Sequence, residues 1–289
     1  MQYAGRIRQT NIYVGKLFRI FANEKQWKGF ISATIITALI ASVTGKNMFT
    51  EYSATRNGTF ALICACIWIG IFNSIQSVCS ERGIIKREHR SGLHMTSYVT
   101  AHMVFEFFQS AVDAALVTLV TVFIFGSNMR DADGFKNVNY LLFYVTFFLI
   151  IYASDVLGMM ISCIVKTPET AMTVMPFVLI IQLVMCGFIF ELKGKAAVIG
   201  KITISKWGMN ALGTIANINK MKPAEPAPTA AQEDYVKALQ ARFLADKYHA
   251  DYNPAHFHVY KMWLILIIFI MIYMGVSILF LEFIDRDRR

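Results

Sequence analysis

The sequence predicts an all-α membrane protein with six transmembrane helices, and three observations carry that prediction. Only 16% of the 289 residues are charged, whereas 56% are hydrophobic. The charges cluster, so that six stretches of 17 to 29 residues carry at most one charge each. Each stretch is long enough to cross a hydrocarbon core of about 30 Å, where helices satisfy their own backbone hydrogen bonds. This composition excludes a disordered chain, a coiled coil and an ordinary nucleic-acid-binding domain, so no nucleic-acid partner is expected.

The distribution of Lys and Arg predicts the orientation. The N-terminal tail, loop 81–98, the turn near Lys166 and the C-terminal tail together hold 14 basic residues, whereas the two short loops on the other side hold 4. The positive-inside rule therefore places both termini in the cytoplasm. The long segment 191–261 is then extracytoplasmic, since long loops translocate largely regardless of charge.

The chain divides into four predicted regions. Residues 1–26 read as an amphipathic helix lying on lipid at the cytoplasmic interface, although a simple positively charged anchor explains the charges equally well. Residues 27–191 hold five transmembrane helices, residues 192–259 form an extracytoplasmic subdomain, and residues 260–289 hold the sixth helix and a cytoplasmic tail. The predicted spans are 27–45, 59–79, 99–126, 138–165, 169–191 and 260–284.

The extracytoplasmic subdomain has three parts of different composition. Residues 194–219 are weakly apolar and punctuated by Gly, which predicts short helices dipping toward the membrane. Residues 222–232 are a Pro/Ala linker. Residues 233–250 place Val236, Leu239, Phe243 and Leu244 on one face of a predicted amphipathic helix.

The sequence contains no motif for catalysis, nucleotide binding or a metal. Residues 194–201, GKAAVIGK, resemble a phosphate-binding loop, but five residues separate the two glycines and Ile202 replaces the required Ser or Thr. All five cysteines lie within or at the ends of predicted spans, so we expect no disulfide framework. We predict that this chain has no cofactor and is not itself an enzyme.

The third predicted span begins with a polar stripe. Its members share one helical face at spacings i, i+4, i+7 and i+11, and they are His102, Glu106, Gln109 and Asp113. Acids within a membrane are costly and usually face a bundle interior, a partner or water. We predict an intramembrane polar network that also includes Asp155 of the fourth span. The alternative is that His102 and Glu106 lie near the interface and merely pair.

The loop after the second span, residues 80–98, carries the most specific motif. It contains Glu81-Arg82, then Arg87-Glu88, then Gly92 and Ser97-Tyr98 at the entry to the third span. In this order of charged pairs the chain resembles the permeases of the ABC-2 type transporters, and in particular their ABCG-like branch. The resemblance continues with Gly187-Phe188 and with the outer run from Ser205 to Leu212, SKWGMNAL. It covers nearly the whole chain.

The resemblance implies the membrane subunit of an ABC exporter in a bacterial plasma membrane. Two permease subunits, identical or related, would form the pathway, because six helices rarely enclose a wide pathway alone. Separate ABC ATPase subunits would bind ATP and Mg and dock on residues 80–98. The residues expected to couple the ATPase to transport are Glu81, Arg82, Arg87, Glu88 and Gly92.

The resemblance also implies a substrate pathway at the dimer axis, between the second and fifth spans. One wall would consist of Cys66, Ile69 and Asn73, and the other of Pro176, Ile180 and Leu183, each set on one helical face. Phe188 and Ile189 would form an outer plug. Ordinary helix packing is the alternative, since Ile and Leu at this spacing occur in any bundle. The mostly apolar walls predict a hydrophobic or amphipathic substrate.

Two other functions stay open at the level of sequence. The chain could export lipid-linked glycans, which related permeases move, or it could be a membrane-bound enzyme or scaffold with no ATPase partner. An aromatic-lined channel would favour the glycan exporter, and co-purification with an ATPase would separate a permease from an enzyme.

Overall fold

A computed structural model describes residues 5–44, 47–131, 139–188, 192, 194–220 and 256–283. These residues are helical almost throughout and contain no β-strand. The helices are α1 Arg6–Asn23, α2 Lys28–Thr44, α3 Tyr52–Ser74, α4 Arg82–Arg90, α5 Met95–Asp131, α6 Asn139–Ile164, α7 Pro168–Val184, α8 Lys195–Gly200, α9 Ile204–Ile215 and α10 His256–Glu282. The all-α class predicted from the sequence is therefore confirmed. The predicted linker 222–232 and the predicted helix 233–250 lie outside the described residues.

Four described helical segments are long and apolar enough to cross a membrane. They are Tyr52–Arg90, Met95–Gly126, Tyr140–Ile164 and Phe257–Glu282. The pair α1 and α2, bent by 70°, counts as a fifth candidate if taken as one span. α2 and α7 have 17 residues each, about 25 Å of helix, which is the lower end of the spanning range. The count of six spans stays a prediction for these two helices.

α3 and α6 form the centre of the bundle, and two glycines allow their backbones to approach closely. A Cβ atom at Gly70 would lie 2.5 Å from the carbonyl oxygen of Ile151. A Cβ atom at Gly158 would lie 2.3 Å from Ser74 Oγ. Small residues at such crossings let membrane helices pack by dispersion forces, because lipid supplies no hydrophobic drive between helices.

The remaining long helices pack around this centre. α5 and α10 both contact α6, and α10 is tied to it where Trp263 Nε1 donates a hydrogen bond to Thr146 Oγ1 (3.0 Å). α1 lies against α5, where the Tyr13 and Tyr98 rings meet edge to face at 5.3 Å. The amphipathic helix predicted in residues 1–26 thus packs its inner face on protein.

α7 ends at Val184, before the predicted end of the fifth span at residue 191. The helix starts with Thr167 as N-cap, whose Oγ1 accepts a hydrogen bond from Thr170 N, followed by Pro168. Its end is followed by Gly187, at φ 80° in the left-handed region that glycine tolerates best. Hydrophobicity alone extends the span too far because the apolar run continues past this turn.

Candidate functional site

The segment around α4 is fixed to the end of α6 by two side chains. Ser162 Oγ accepts hydrogen bonds from Val78 N and Cys79 N, both at 3.0 Å. Arg82 donates from one guanidinium nitrogen to the carbonyl oxygens of Cys163 and Val165, both at 2.9 Å. Carbonyls at the C-terminus of a helix lack partners inside the helix and carry partial negative charge, so an arginine is well suited to cap them.

The other end of α4 is closed by a turn that requires glycine. Gly92 has φ 99°. Leu93 N donates to the carbonyl of Glu88, and Gly92 N donates to that of His89, each at 3.0 Å. These two bonds form the Schellman motif that terminates many helices. Gly92, a predicted coupling residue, therefore ends α4 and lets the chain turn toward α5.

α1 holds this turn through one glutamine. Gln9 Nε2 donates to the carbonyl of Gly92 (3.2 Å), and Gln9 Oε1 accepts from His94 N (3.0 Å). Lys16 Nζ forms a salt bridge with Glu81 Oε2 at 2.9 Å. α1, α4 and the C-terminus of α6 therefore form one connected unit, which we call the α4 end of the bundle.

The predicted coupling residues divide into inward and outward groups. Glu81 and Arg82 face α1 and α6 through the bonds described above. Glu88 is half-buried. Gly83, Ile84, Arg87 and Arg90 are exposed along one face of α4. Arg87 is therefore the predicted coupling residue best placed to meet a partner, while the coupling role itself stays a prediction.

The polar stripe of α5 faces the interior of the bundle. His102, Glu106 and Asp113 are buried and Gln109 is half-buried. Asp113 Oδ2 accepts a hydrogen bond from Asn73 Nδ2 of α3 (2.9 Å), and Asp155 Oδ2 accepts one from Ser110 Oγ of α5. The hydrogen bond between Ser110 and Asp155 thus links α5 to α6.

The structure does not link the whole stripe. Among the described residues, Nε2 of His102 and both carboxylate oxygens of Glu106 have no hydrogen-bond partner. The same residues contain no group of three or more His, Cys, Asp or Glu side chains that could hold a metal ion. The predicted network therefore stays a prediction, since the two observed hydrogen bonds, Asn73–Asp113 and Ser110–Asp155, each join one predicted member to a residue outside the predicted set.

The two predicted pathway walls lie in different environments. On α3, Cys66 and Ile69 are buried inside the chain and Asn73 is half-buried beside Asp113. On α7, Pro176 and Ile180 are exposed and Leu183 is half-buried. The exposed stripe of α3 is formed instead by Trp68 and Phe72, one helical turn apart. The α7 wall is thus open to a neighbouring molecule, whereas the α3 wall packs against its own chain.

Phe188, the first residue of the predicted plug, contacts the start of α3. Its ring stacks on that of Phe60, with centroids 4.2 Å apart and planes inclined by 10°. The guanidinium carbon of Arg56 lies 4.7 Å from the centre of the Phe188 ring. Ile189, the second predicted plug residue, lies outside the described residues.

The short helix α9 is attached to the end of α7 by Gln182. Its side-chain oxygen accepts a hydrogen bond from Ile204 N (2.9 Å), in the first turn of α9, where backbone donors lack helical partners. Ser205 Oγ donates in return to the backbone oxygen of Gln182. We call the C-terminus of α7, the start of α3, α8 and α9 the α9 end of the bundle.

The packing of α9 in the bundle explains several residue types in the run from Ser205 to Leu212. A Cβ atom at Gly208 would lie 2.9 Å from Ile150 Cδ1, so a larger residue here would require the Ile150 side chain to shift. Ala211 and Leu212 are fully buried. Trp207 Nε1 donates to the carbonyl of Lys201 (2.8 Å).

Sequence reasoning missed several of these residues. Gln9, Ser162 and Arg56 carry no local signal, because their partners are distant in the sequence. Gln182 did leave a signal, since it is the only amide side chain in the charge-free stretch 170–190. A lone amide in a membrane helix usually has a hydrogen-bond partner on another element.

Comparison with known proteins shows the family to which the chain belongs. A protein of Mycobacterium tuberculosis named as an ABC transporter ATP-binding/permease protein is 26% identical over 164 residues. The aligned part covers 56% of this chain but only 19% of that relative. Residues 16–215, well over half of the chain, match the family described as ABC-2 type transporter. Because the matched range is more than half of the chain and includes α4, α7, α8 and α9, the chain belongs to the ABC-2 type transporter family and is a multi-pass transporter membrane subunit.

Proposed function

We propose that this chain is the permease subunit of an ATP-driven ABC exporter that moves a hydrophobic or amphipathic substrate across a bacterial plasma membrane. The observation that carries the proposal is the construction of α4. Arg82 ties the start of this nine-residue helix to α6, the flanking residues Glu81 and Gly92 are tied to α1, and one face of the helix is exposed. A helix held in this way transmits a push on its outer face to several membrane helices together.

The ATPase is the first partner in this proposal. An ABC ATPase would bind ATP and Mg and dock on the exposed face of α4, with the α4 end and both termini in the cytoplasm. Ile84 would supply an apolar contact, and Arg87 would supply a charge that selects an acidic surface on the ATPase. The name of the mycobacterial relative, which combines ATP-binding and permease functions, supports this partnership.

A second permease subunit is the other partner. Exposed apolar side chains follow α7 at Pro176, Phe177, Ile180 and Ile181, and they follow α3 at Trp68 and Phe72. We propose that a second copy or a related chain faces these helices and that substrate moves between them. The pathway wall on α3 would then consist of Trp68 and Phe72, which lie on a different face of the helix from Cys66 and Ile69. Mostly apolar walls suit an apolar or amphipathic substrate.

The proposal is tested by isolating the complex from its native membranes. Tagged chain purified in mild detergent should bring an ABC ATPase with it, identified by mass spectrometry. Arg87→Glu should remove the ATPase, because an acidic docking surface would now meet a like charge. Arg19→Glu, at an exposed basic position of α1, is the matched control and should retain the ATPase.

Two outcomes would overturn the proposal. Wild-type chain that purifies without any ATPase would favour a membrane-bound enzyme or scaffold. Equal recovery of the ATPase with Arg87→Glu and with wild-type chain would place the docking surface elsewhere. Orientation is checked in intact cells with single cysteines, since Lys195→Cys should react with an impermeant maleimide and Ser91→Cys should not.

A further inference from the structure

Phe188 lies past the end of α7, yet its ring is held by α3. The Phe60 ring stacks on it at a centroid distance of 4.2 Å, and the Arg56 guanidinium lies 4.7 Å from its centre. Arg56 also donates from a guanidinium nitrogen to the backbone oxygen of Phe188 (3.4 Å). Arg56 and Phe60 are spaced i, i+4 and so share one face of α3. Arg56 and Phe60, one turn apart on α3, therefore contact both the ring and the backbone of Phe188.

The environment of Arg56 strengthens its contact with the ring. The side chain is half-buried, its Nε atom has no hydrogen-bond partner among the described residues, and in that part of the chain it forms no salt bridge. A cation over an aromatic face is attracted more strongly when it is partly removed from water. The ring and the backbone oxygen of Phe188 thus both contact this guanidinium.

The backbone before Phe188 is also fixed. Gly187 takes the left-handed conformation at φ 80°, and Phe188 N donates to Cys186 Sγ at 3.3 Å. Gln182, one turn further back, is bonded to α9. The end of α7 is therefore attached to α9 on one side and to α3 on the other, and the attachment to α3 consists of ring contacts and one long hydrogen bond.

We propose that Arg56 and Phe60 are positioning residues that latch Phe188 against α3 and keep the α9 end of the pathway closed. The inference rests on the proposed function, because it assigns a gate to the exporter described above. When the gate opens, the ring contacts break and Phe188 moves away from α3 at the Gly187 turn, while the Gln182 bonds hold α7 on α9, which stays packed on α3 and α6. Arg56 then regains water at the outer surface, which limits the cost of release.

The test uses the reactivity of Cys186, which is buried next to the latch. A variant retaining only this cysteine, with Ala at positions 64, 66, 79 and 163, is placed in lipid nanodiscs, where both membrane faces are accessible. The rate of its reaction with a polar maleimide reports opening at the α9 end. Arg56→Gln and Phe60→Leu should each raise this rate several-fold, whereas Arg56→Lys, which keeps the cation, should raise it less.

Two substitutions serve as matched controls. Phe123→Leu removes a ring that is 91% exposed on α5, and Lys195→Gln removes an exposed charge at the α9 end. Both should leave the rate unchanged. If Arg56→Gln does not reach the membrane folded, Phe60→Leu and Arg56→Lys decide the question alone.

An unchanged rate in Arg56→Gln and Phe60→Leu, or an equal rise in the two controls, would overturn the latch. The measurement needs no ATPase and no substrate, so it is independent of the test of the proposed function. A faster rate in a chain that never associates with an ATPase would support the latch and reject the exporter. A slow rate in all variants of a chain that does bind an ATPase would reject the latch alone.

Discussion

The two ends of the bundle are built from different interactions. The α4 end is joined by two charged contacts, in which Arg82 caps α6 and Lys16 pairs with Glu81, and by the neutral amide of Gln9 at the Gly92 turn. The α9 end is joined by amide and aromatic contacts, in which Gln182 binds α9 and Phe188 lies against Phe60 and Arg56. Charge-assisted hydrogen bonds are directional and strong, whereas stacked rings separate at lower cost. The difference is what we expect of an exporter that receives force at one end and opens at the other.

The largest expected effect is at the α4 end. Arg82→Ala removes two charge-assisted bonds and leaves the carbonyls of Cys163 and Val165 without this donor, at a cost of about 1.5–3 kcal/mol per bond to a charged group. We expect lower thermal stability in detergent, measured by unfolding with a thiol-reactive dye, together with loss of ATP-driven transport. Arg8→Ala, at an exposed basic position of α1, is the control and should behave as wild type. Normal coupling in Arg82→Ala would show that the bond to α6 does not transmit motion.

A smaller effect is expected at the α9 end. Gln182→Leu keeps an apolar side chain of similar size but removes the acceptor for the first turn of α9, at about 1–3 kcal/mol for the unpaired donor. Gln182→Glu keeps an oxygen acceptor at the N-terminus of α9 but buries an acid, so it should recover only part of the loss. Thermal unfolding should report the difference, and recovery of the ATPase should stay normal in both variants. Loss of ATPase binding in Gln182→Leu would mean that the two ends are not separable.

The smallest effect is expected for the salt bridge between α1 and Glu81. The two side chains are 34% and 21% exposed, and partly exposed ion pairs contribute about 0.2–1 kcal/mol. Lys16→Ala should therefore lower the unfolding temperature slightly at low salt and show almost no difference from wild type at 1 M salt. A large loss at both salt concentrations would indicate that Lys16 is a structural anchor comparable to Arg82.

Sequence reasoning predicted the positions of the helices along the chain better than it predicted which helix faces are buried. The charge-free blocks located α3, α5, α6, α7 and α10, and the charged pairs located the α4 end. Helices that are apolar on all sides show no periodicity, so nothing in the sequence distinguishes the buried Cys66 and Ile69 from the exposed Trp68 and Phe72. The bonds of Arg82 to α6 and the contact of Arg56 with Phe188 involve partners 81 to 132 residues away in the sequence. Local sequence patterns do not report such distant contacts.

The central claim is that an ABC ATPase docks on the exposed face of α4, and site-specific photo-crosslinking tests it most directly. A photoreactive amino acid at Ile84, which is 38% exposed on α4, should yield an adduct with an ABC ATPase on irradiation of native membranes. The same amino acid at Ile199, which is 47% exposed on α8, should yield none. An ATPase adduct at Ile84 that disappears with Arg87→Glu is the result we predict. Adducts at Ile199, or at neither position in membranes where the ATPase is present, would contradict the claim.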